Sequence, residues 1–378
     1  MTTIPMPELA PAAGAAACYH GGAFFEAVGS DFRSLDRRHS IINADVLDAW
    51  FSPSPKVIDA VQGELHWLLR TSPPTQCEGL ISAICEARRL EPGNVVVGAG
   101  SSDLVFRALT RWLSPASRVL ILDPSYGEYH HLFEHVIGCG IDRFMLDQRD
   151  GYRVDLDRLA ARIASTRPDL VVIVNPNNPT GGHVRRADLE RLLARQPCAT
   201  RFWVDEAYLD YVGAGESLER FAAASENVFV CKSMSKVYAL SGARAAYLCG
   251  PRGAIAEIRR VTPPWAVGLV AQVAAVNALR DPAYYQRRYR ETHALRDTLA
   301  RDLATIGLGV IPGRANSVLC TLPAGLTAAT VVARARESGL FIRDICTTTA
   351  APDHRTVRIA VKDADTNRRI VAKMAALV

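Results

Sequence analysis

The sequence predicts an α/β protein with a mostly parallel sheet covered on both faces, joined to a smaller α+β unit. Three observations predict it. From Asn94 onward, short β-branched runs alternate with helix-patterned segments, the pattern of successive βαβ units. Those runs are continuously apolar instead of alternating, as buried strands of a parallel sheet are. Beyond a long Arg-rich amphipathic stretch, the remaining strand-like runs are interspersed with helical ones in a way that suits a separate, smaller unit.

The elements follow in order. Residues 1–17, within MTTIPMPELAPAAGAAAC, are Ala/Pro-rich and have no basic leader, and they read as a disordered tail and not a signal peptide. Residues 18–60, including WFSPSP at 50–55, are expected to form an arm that packs with the second unit. A large domain is expected over 61–285. Its strands are NVVV (94–97), RVLILD (118–123), LVVIVN (170–175), RFWVDE (201–206), NVFVC (227–231) and AAYLC (245–249). Helical patterns cover 102–113 and 186–196, and residues 273–305 read as one long Arg-rich helix without strong breaks. The small domain, 286–378, carries ANSVLCTLP, GLFIRDI and TVRIAV.

At 378 residues the chain is long enough for two domains, and its 49% apolar and 22% charged content is that of an ordinary globular protein. The net charge of +5 is spread as arginine with no basic block, which speaks against nucleic-acid binding. The nine cysteines show no CxxC pair or metal-ligand spacing, so we expect reduced thiols, no metal and a cytoplasmic location. No apolar run approaches the roughly 18 residues of a membrane span.

Four polar features lie at or just after strand ends, where open α/β sheets bind their ligands. GAGSSD (98–103) is a glycine turn into a helix: an anion site, or simply a tight βα turn. NPNNPTGG (175–182) is an Asn-Pro loop directly after a strand. WVDEAY (203–208) closes a strand with acids that serve either as a helix cap or as partners for a cation, and Tyr208 falls close to Asp205. CKSMSKVYALSGAR (231–244) holds two of only five lysines in the chain. By themselves Lys232 and Lys236 could both be solvent-facing charges.

Together, GAGSSD, DPSYGEY, NPNNPTG, VDEAY, SMSK, GAR and TVRIAV resemble, in that order, the fold-type I pyridoxal-phosphate (PLP) enzymes of the aspartate aminotransferase superfamily. The resemblance is nearest to the branch of histidinol-phosphate aminotransferase and threonine-phosphate decarboxylase. It implies a seven-stranded large-domain sheet, PLP as cofactor, a small amino substrate and a homodimer with its site at the subunit interface. It also assigns roles. Lys236 forms the Schiff base and moves the proton, Asp205 pairs with the pyridine nitrogen, and Asn178 and Tyr208 bond the phenolic oxygen. Tyr126 stacks on the ring. Ser101, Ser102, Ser233, Ser235 and Arg244 hold the phosphate. Arg358 clamps the substrate carboxylate, and His20, in a YHGG stretch like that of the decarboxylases, faces the substrate. Lys232 stands where many relatives have arginine and reads as a peripheral charge near the phosphate. Gly242 is expected to turn the backbone so that Arg244 points into the site.

Two segments depart from the branch. DAWFSPSP (48–55) lacks the substrate-side asparagine of the relatives, and RTSPPTQ (70–76) has Thr71 or Ser72 where they place a tyrosine that reaches the partner's phosphate. An intact cofactor cradle with an altered pocket implies a familiar first step on an unusual substrate. Aminotransfer through a quinonoid is the first reading. Decarboxylation follows, and then elimination, replacement or ring formation, including chemistry on S-adenosylmethionine. Regulators of this superfamily carry an N-terminal DNA-binding domain, whereas the fewer than 100 residues ahead of the cradle resemble the enzymes' own N-terminal arm.

Overall fold

The computed structural model describes residues 22–351 and 353–378. Its centre is a seven-stranded sheet made of β1 (Val95–Gly98), β2 (Arg118–Asp123), β3 (Gly140–Met145), β4 (Leu170–Val174), β5 (Arg201–Asp205), β6 (Val228–Ser233) and β7 (Ala246–Cys249). The spatial order is β1-β7-β6-β5-β4-β2-β3. All neighbours run parallel except β7, which is antiparallel to both β1 and β6. β2, β4, β5 and β6 are apolar runs because both faces are covered: Val171 and Val204 belong to one core, Val172 and Trp203 to the other. β3 is an edge strand of mixed polarity that the apolar-run criterion does not find.

A second sheet, antiparallel throughout, has the order β10-β11-β9-β8 with β8 (Gly309–Ile311), β9 (Ser317–Thr321), β10 (Arg343–Asp344) and β11 (Thr356–Ala360). The arm joins this side of the molecule: Ile42–Asn43 pairs in parallel with Leu340–Phe341. The aromatic WFSPSP segment lies on the helix Pro282–Thr305, where Trp50 Nε1 donates to Thr292 Oγ1 (2.8 Å) and Tyr285 Oη accepts from the Ser54 N–H (3.1 Å). That helix corrects one expectation. The stretch 273–305 is two helices, Leu269–Leu279 and Pro282–Thr305, because Pro282 has no N–H to continue the first and instead starts the second.

The reading of Lys232 is also corrected. Side chains alternate along β6, so Lys232 shares a face with Val228 and Val230, away from Cys231 and Ser233. Only 2% of it is exposed. Its Nζ lies 2.8 Å from Asp210 Oδ2 and 3.4 Å from Glu206 Oε2, and Arg88 Nη2 donates to Asp210 Oδ1 at 2.8 Å. Glu206 further accepts from Ser217 Oγ (2.6 Å) and the Leu218 N–H (2.8 Å). The network pins the turn that follows β5. Burial pushes the Glu206 carboxyl up to about 7 despite the Lys232 charge, whereas at Asp210 the two cations outweigh burial and hold the carboxyl well below the usual range. Removing the lysine alone strands buried carboxylates, so Lys232→Met is expected to lower the unfolding free energy by about 3 kcal/mol in urea denaturation, with the fold retained.

Candidate active site

One cleft lies across the carboxyl ends of β1, β5 and β6 and the facing edge of the antiparallel sheet. It is lined by Ser101, Ser102, Tyr126, Asn178, Tyr208, Ser233, Ser235, Lys236, Arg244 and Arg358, all of which the sequence singled out. Parallel strands end on the same side, so residues far apart in the chain converge there. His20 lies outside the described residues.

The anion end is built on the helix Ser101–Trp112, whose N-terminal N–H groups and dipole face the cleft. Gly100 has φ +92°, and a Cβ there would collide with the Arg244 guanidinium. The glycine thus leaves Arg244 room to lie over the turn. Arg244 Nη1 donates to Ser235 Oγ at 3.3 Å. Ser233 Oγ caps the short helix Met234–Val237 by accepting from the Ser235 N–H (3.3 Å). Ser102 Oγ donates to Glu128 Oε2 (2.8 Å), which leaves its backbone N–H for an anion. Gly242 lies in the turn closed by the Ala243 N–H donating to the Leu240 carbonyl (3.0 Å), but without the positive φ that would require a glycine. The left-handed residues are Ala239 (φ 58°) and Arg244 itself (φ 61°), a strained backbone for side chains other than glycine.

At the floor, Asp205 is buried, with Oδ2 accepting from Tyr129 Oη (2.8 Å) and Oδ1 from the Ala207 N–H (3.0 Å). Trp203 Nε1 in turn donates to Tyr129 Oη (2.8 Å). Burial pushes the Asp205 carboxyl up to about 6, against the pull of those two donors. A cationic ring nitrogen brought against it would supply the counter-charge that it lacks.

On the opposite wall the NPNNPTGG loop is held by its own asparagines. Asn175 exchanges hydrogen bonds with Val184, and Asn177 donates to the Pro124 carbonyl (2.9 Å). Only Asn178 of the three lines the cleft, with Oδ1 accepting from Arg358 Nη1 at 2.5 Å. Gly181 (φ +71°) makes this junction close: a Cβ there would stand 3.0 Å from Gly313 Cα, and its carbonyl accepts from the Arg314 N–H at 2.7 Å. Burial and the neighbouring Arg343 lower Arg358 to about 10, and its buried Nε has no protein partner.

Several residues in or beside the cleft escaped the sequence reading. Asp48, from the divergent DAWFSPSP segment, lies 2.8 Å from Lys236 Nζ; burial raises its carboxyl, but Lys236 outweighs that and lowers it overall. Burial also lowers the nearby Lys362 to about 8. Tyr129 could have been suspected from DPSYGEYHH only with the structure in hand. Arg343 sits in GLFIRDI without a distinguishing pattern. Asp45 belongs to the arm, some 300 residues before the strand that it meets.

A lysine-bearing turn facing the cleft, a buried carboxylate beneath it and a glycine-lined anion end on this sheet fit a PLP-dependent transferase. The donor set fits the cofactor: an acid for a pyridine nitrogen, and N–H groups, hydroxyls and a guanidinium for a phosphate. Residues 45–374 match the family described as aminotransferase class I and II, and the chain belongs to that family. It is 32% identical over 269 residues to a histidinol-phosphate aminotransferase of Moorella thermoacetica, covering 70% of this chain and 68% of the relative. The structure resembles histidinol-phosphate aminotransferase from Sinorhizobium meliloti, solved in complex with pyridoxal-5'-phosphate, with a TM-score of 0.83, 21% identity and coverage of 99% and 98% of the two chains. It also resembles L-threonine-O-3-phosphate decarboxylase from Porphyromonas gingivalis, with a TM-score of 0.75, 20% identity and coverage of 88% and 98%.

The raised Asp205 value fixes the sign of a pH effect in the cofactor-free protein. Between about pH 4 and 6 the unfolded chain gives up this proton before the folded one, so stability falls as pH rises through that window. Relative to Asp205→Asn, the wild-type chain is expected to lose about 2 kcal/mol between pH 4 and 7, read from denaturant unfolding at each pH.

Proposed function

We propose that the chain is an aminotransferase acting on an amino acid or an amine derived from one, with Lys236 as the reactive amine. The observation that carries this reading is the convergence of Lys236 and Arg358 on one cleft, with Asp205 buried next to the lining tyrosines Tyr126 and Tyr208. The cofactor, when bound, supplies an electron sink for negative charge at the substrate carbon bearing nitrogen. The rest is done by the chain. Asp205 holds the proton of the pyridine nitrogen, and Tyr129 orients Asp205. Asn178, whose oxygen is committed to Arg358, has its Nδ2 left to donate to the ring oxygen together with Tyr208. Tyr126 covers the ring face. Backbone N–H groups of Ser101 and Ser102, the hydroxyls of Ser233 and Ser235, and Arg244 take the phosphate. Arg358 Nε is the donor for a substrate carboxylate, and Lys236 carries the proton between substrate and cofactor carbons. On the substrate side, Asp48 of the divergent DAWFSPSP segment stands 2.8 Å from Lys236 Nζ.

The test is direct. Purified protein reconstituted with PLP should show a visible band that is trapped by borohydride on the peptide containing Lys236, and an amino donor should convert it. Lys236→Ala should lose the trapped adduct and lower turnover by at least about 10³-fold; full activity in that variant would remove the assignment.

We further propose a homodimer and a division into a large domain (61–285) and a small one (286–378) with the arm against it. Supporting the dimer, Leu65, Trp67 and Leu69 on the helix Leu65–Arg70 are exposed, as is Trp265, whose N–H reaches the Thr75 carbonyl (3.1 Å). Apolar groups so grouped beside the 70–76 segment suit a second copy of the chain. Sedimentation of the holoenzyme should give the dimer mass at micromolar concentration, and Trp67→Asp with Leu69→Asp should shift it toward the monomer. A monomeric wild-type protein would end the proposal.

A further inference from the structure

The antiparallel sheet brings two arginines face to face: Arg343 on β10 is the direct cross-strand partner of Arg358 on β11, and both line the cleft. Like charges in such a pair repel unless something lies between them. Asp45 does. It is 2% exposed, its Oδ1 is 2.6 Å from Arg343 Nε and 3.9 Å from Arg358 Nη2, and its backbone carbonyl accepts from Arg358 Nη2 at 2.6 Å. The partners of Arg358 are therefore of a different kind from those of Arg343. Arg358 is held mainly by neutral oxygens, the Asp45 carbonyl and Asn178 Oδ1, and keeps most of its charge for a ligand. Arg343 already has a carboxylate against it.

We propose that Asp45 is a specificity-determining residue: by acting as an internal counter-ion to Arg343, it leaves the arginine-lined end of the cleft one net positive charge, held by Arg358, and so selects an amine bearing a single carboxylate over one bearing a phosphate. Two arginines and one aspartate sum to +1, which matches a carboxylate. A phosphate monoester carries about −1.5 to −2 at neutral pH, and the excess finds no unpaired cation in the Arg343–Arg358–Asp45 group. The phosphate would also have to displace or repel the Asp45 carboxylate to use Arg343. This inference rests on the aminotransferase reading and names the substrate class within it.

The test uses the PLP-loaded protein and two ligands that share the imidazole and the amine-bearing carbon but differ in the anion, L-histidine and L-histidinol phosphate. The readout is the concentration of each that half-perturbs the visible cofactor band. The wild type is expected to favour L-histidine by at least about tenfold, and Asp45→Asn, which frees Arg343, to move the ratio toward histidinol phosphate by at least about tenfold. Arg343→Gln provides a second arm, because it strands the Asp45 carboxylate: both ligands should weaken. Wild-type preference for histidinol phosphate would overturn the inference, as would an unchanged ratio in Asp45→Asn, or loss of histidinol phosphate alone in Arg343→Gln. A protein that forms no cofactor band at all would count against the aminotransferase reading instead.

Discussion

The alternation of side chains at the ends of two adjacent strands organises everything at this site. Asp205 and Glu206 are consecutive, so they leave β5 on opposite faces of the sheet. On the face of Trp203, Asp205 meets Tyr129 and closes the floor of the cleft. On the other face, Glu206 meets Lys232, which β6 delivers to the same side. One face thus carries a carboxylate without a cation of its own, ready for a cofactor. The other carries a saturated ion network that fixes where the turn after β5 goes. Tyr208 follows both in the chain, on the turn between Glu206 and Asp210 of that network.

The two lysines of one short segment illustrate the same rule. Lys232 lies within β6 and its direction is dictated by the pleat; it ends up buried against two carboxylates. Lys236 lies in the four-residue helix Met234–Val237 and faces the cleft, where Asp48 is its neighbour. Residue type and spacing alone do not separate these fates. The distinction is made by whether each lysine falls on a strand or just beyond it.

The cleft also depends on contacts between the two sheets. Asn178 and Arg358 bond across 180 residues of sequence, and Lys236 and Asp48 across 188. The close approach of Gly181 and Gly313 helps set the distance at which these pairs meet. A carboxylate stands beside Lys236, and another beside the two arginines.

Six runs of apolar, β-branched residues were enough to locate six of the seven strands of the large sheet, because a strand covered on both faces has no other composition open to it. The edge strand Gly140–Met145, half polar, has no such signature, and the proline that splits 273–305 was outweighed by the helical pattern around it. Most residues that line the cleft were legible too, since they sit at strand ends and helix starts where local geometry favours their type: glycine where Arg244 passes, serine at a helix start. Asp45, Asp48, Tyr129 and Arg343 were not. Their chemistry comes from what faces them across the cleft, and a buried charge takes its meaning from partners that only folding brings within a few ångströms.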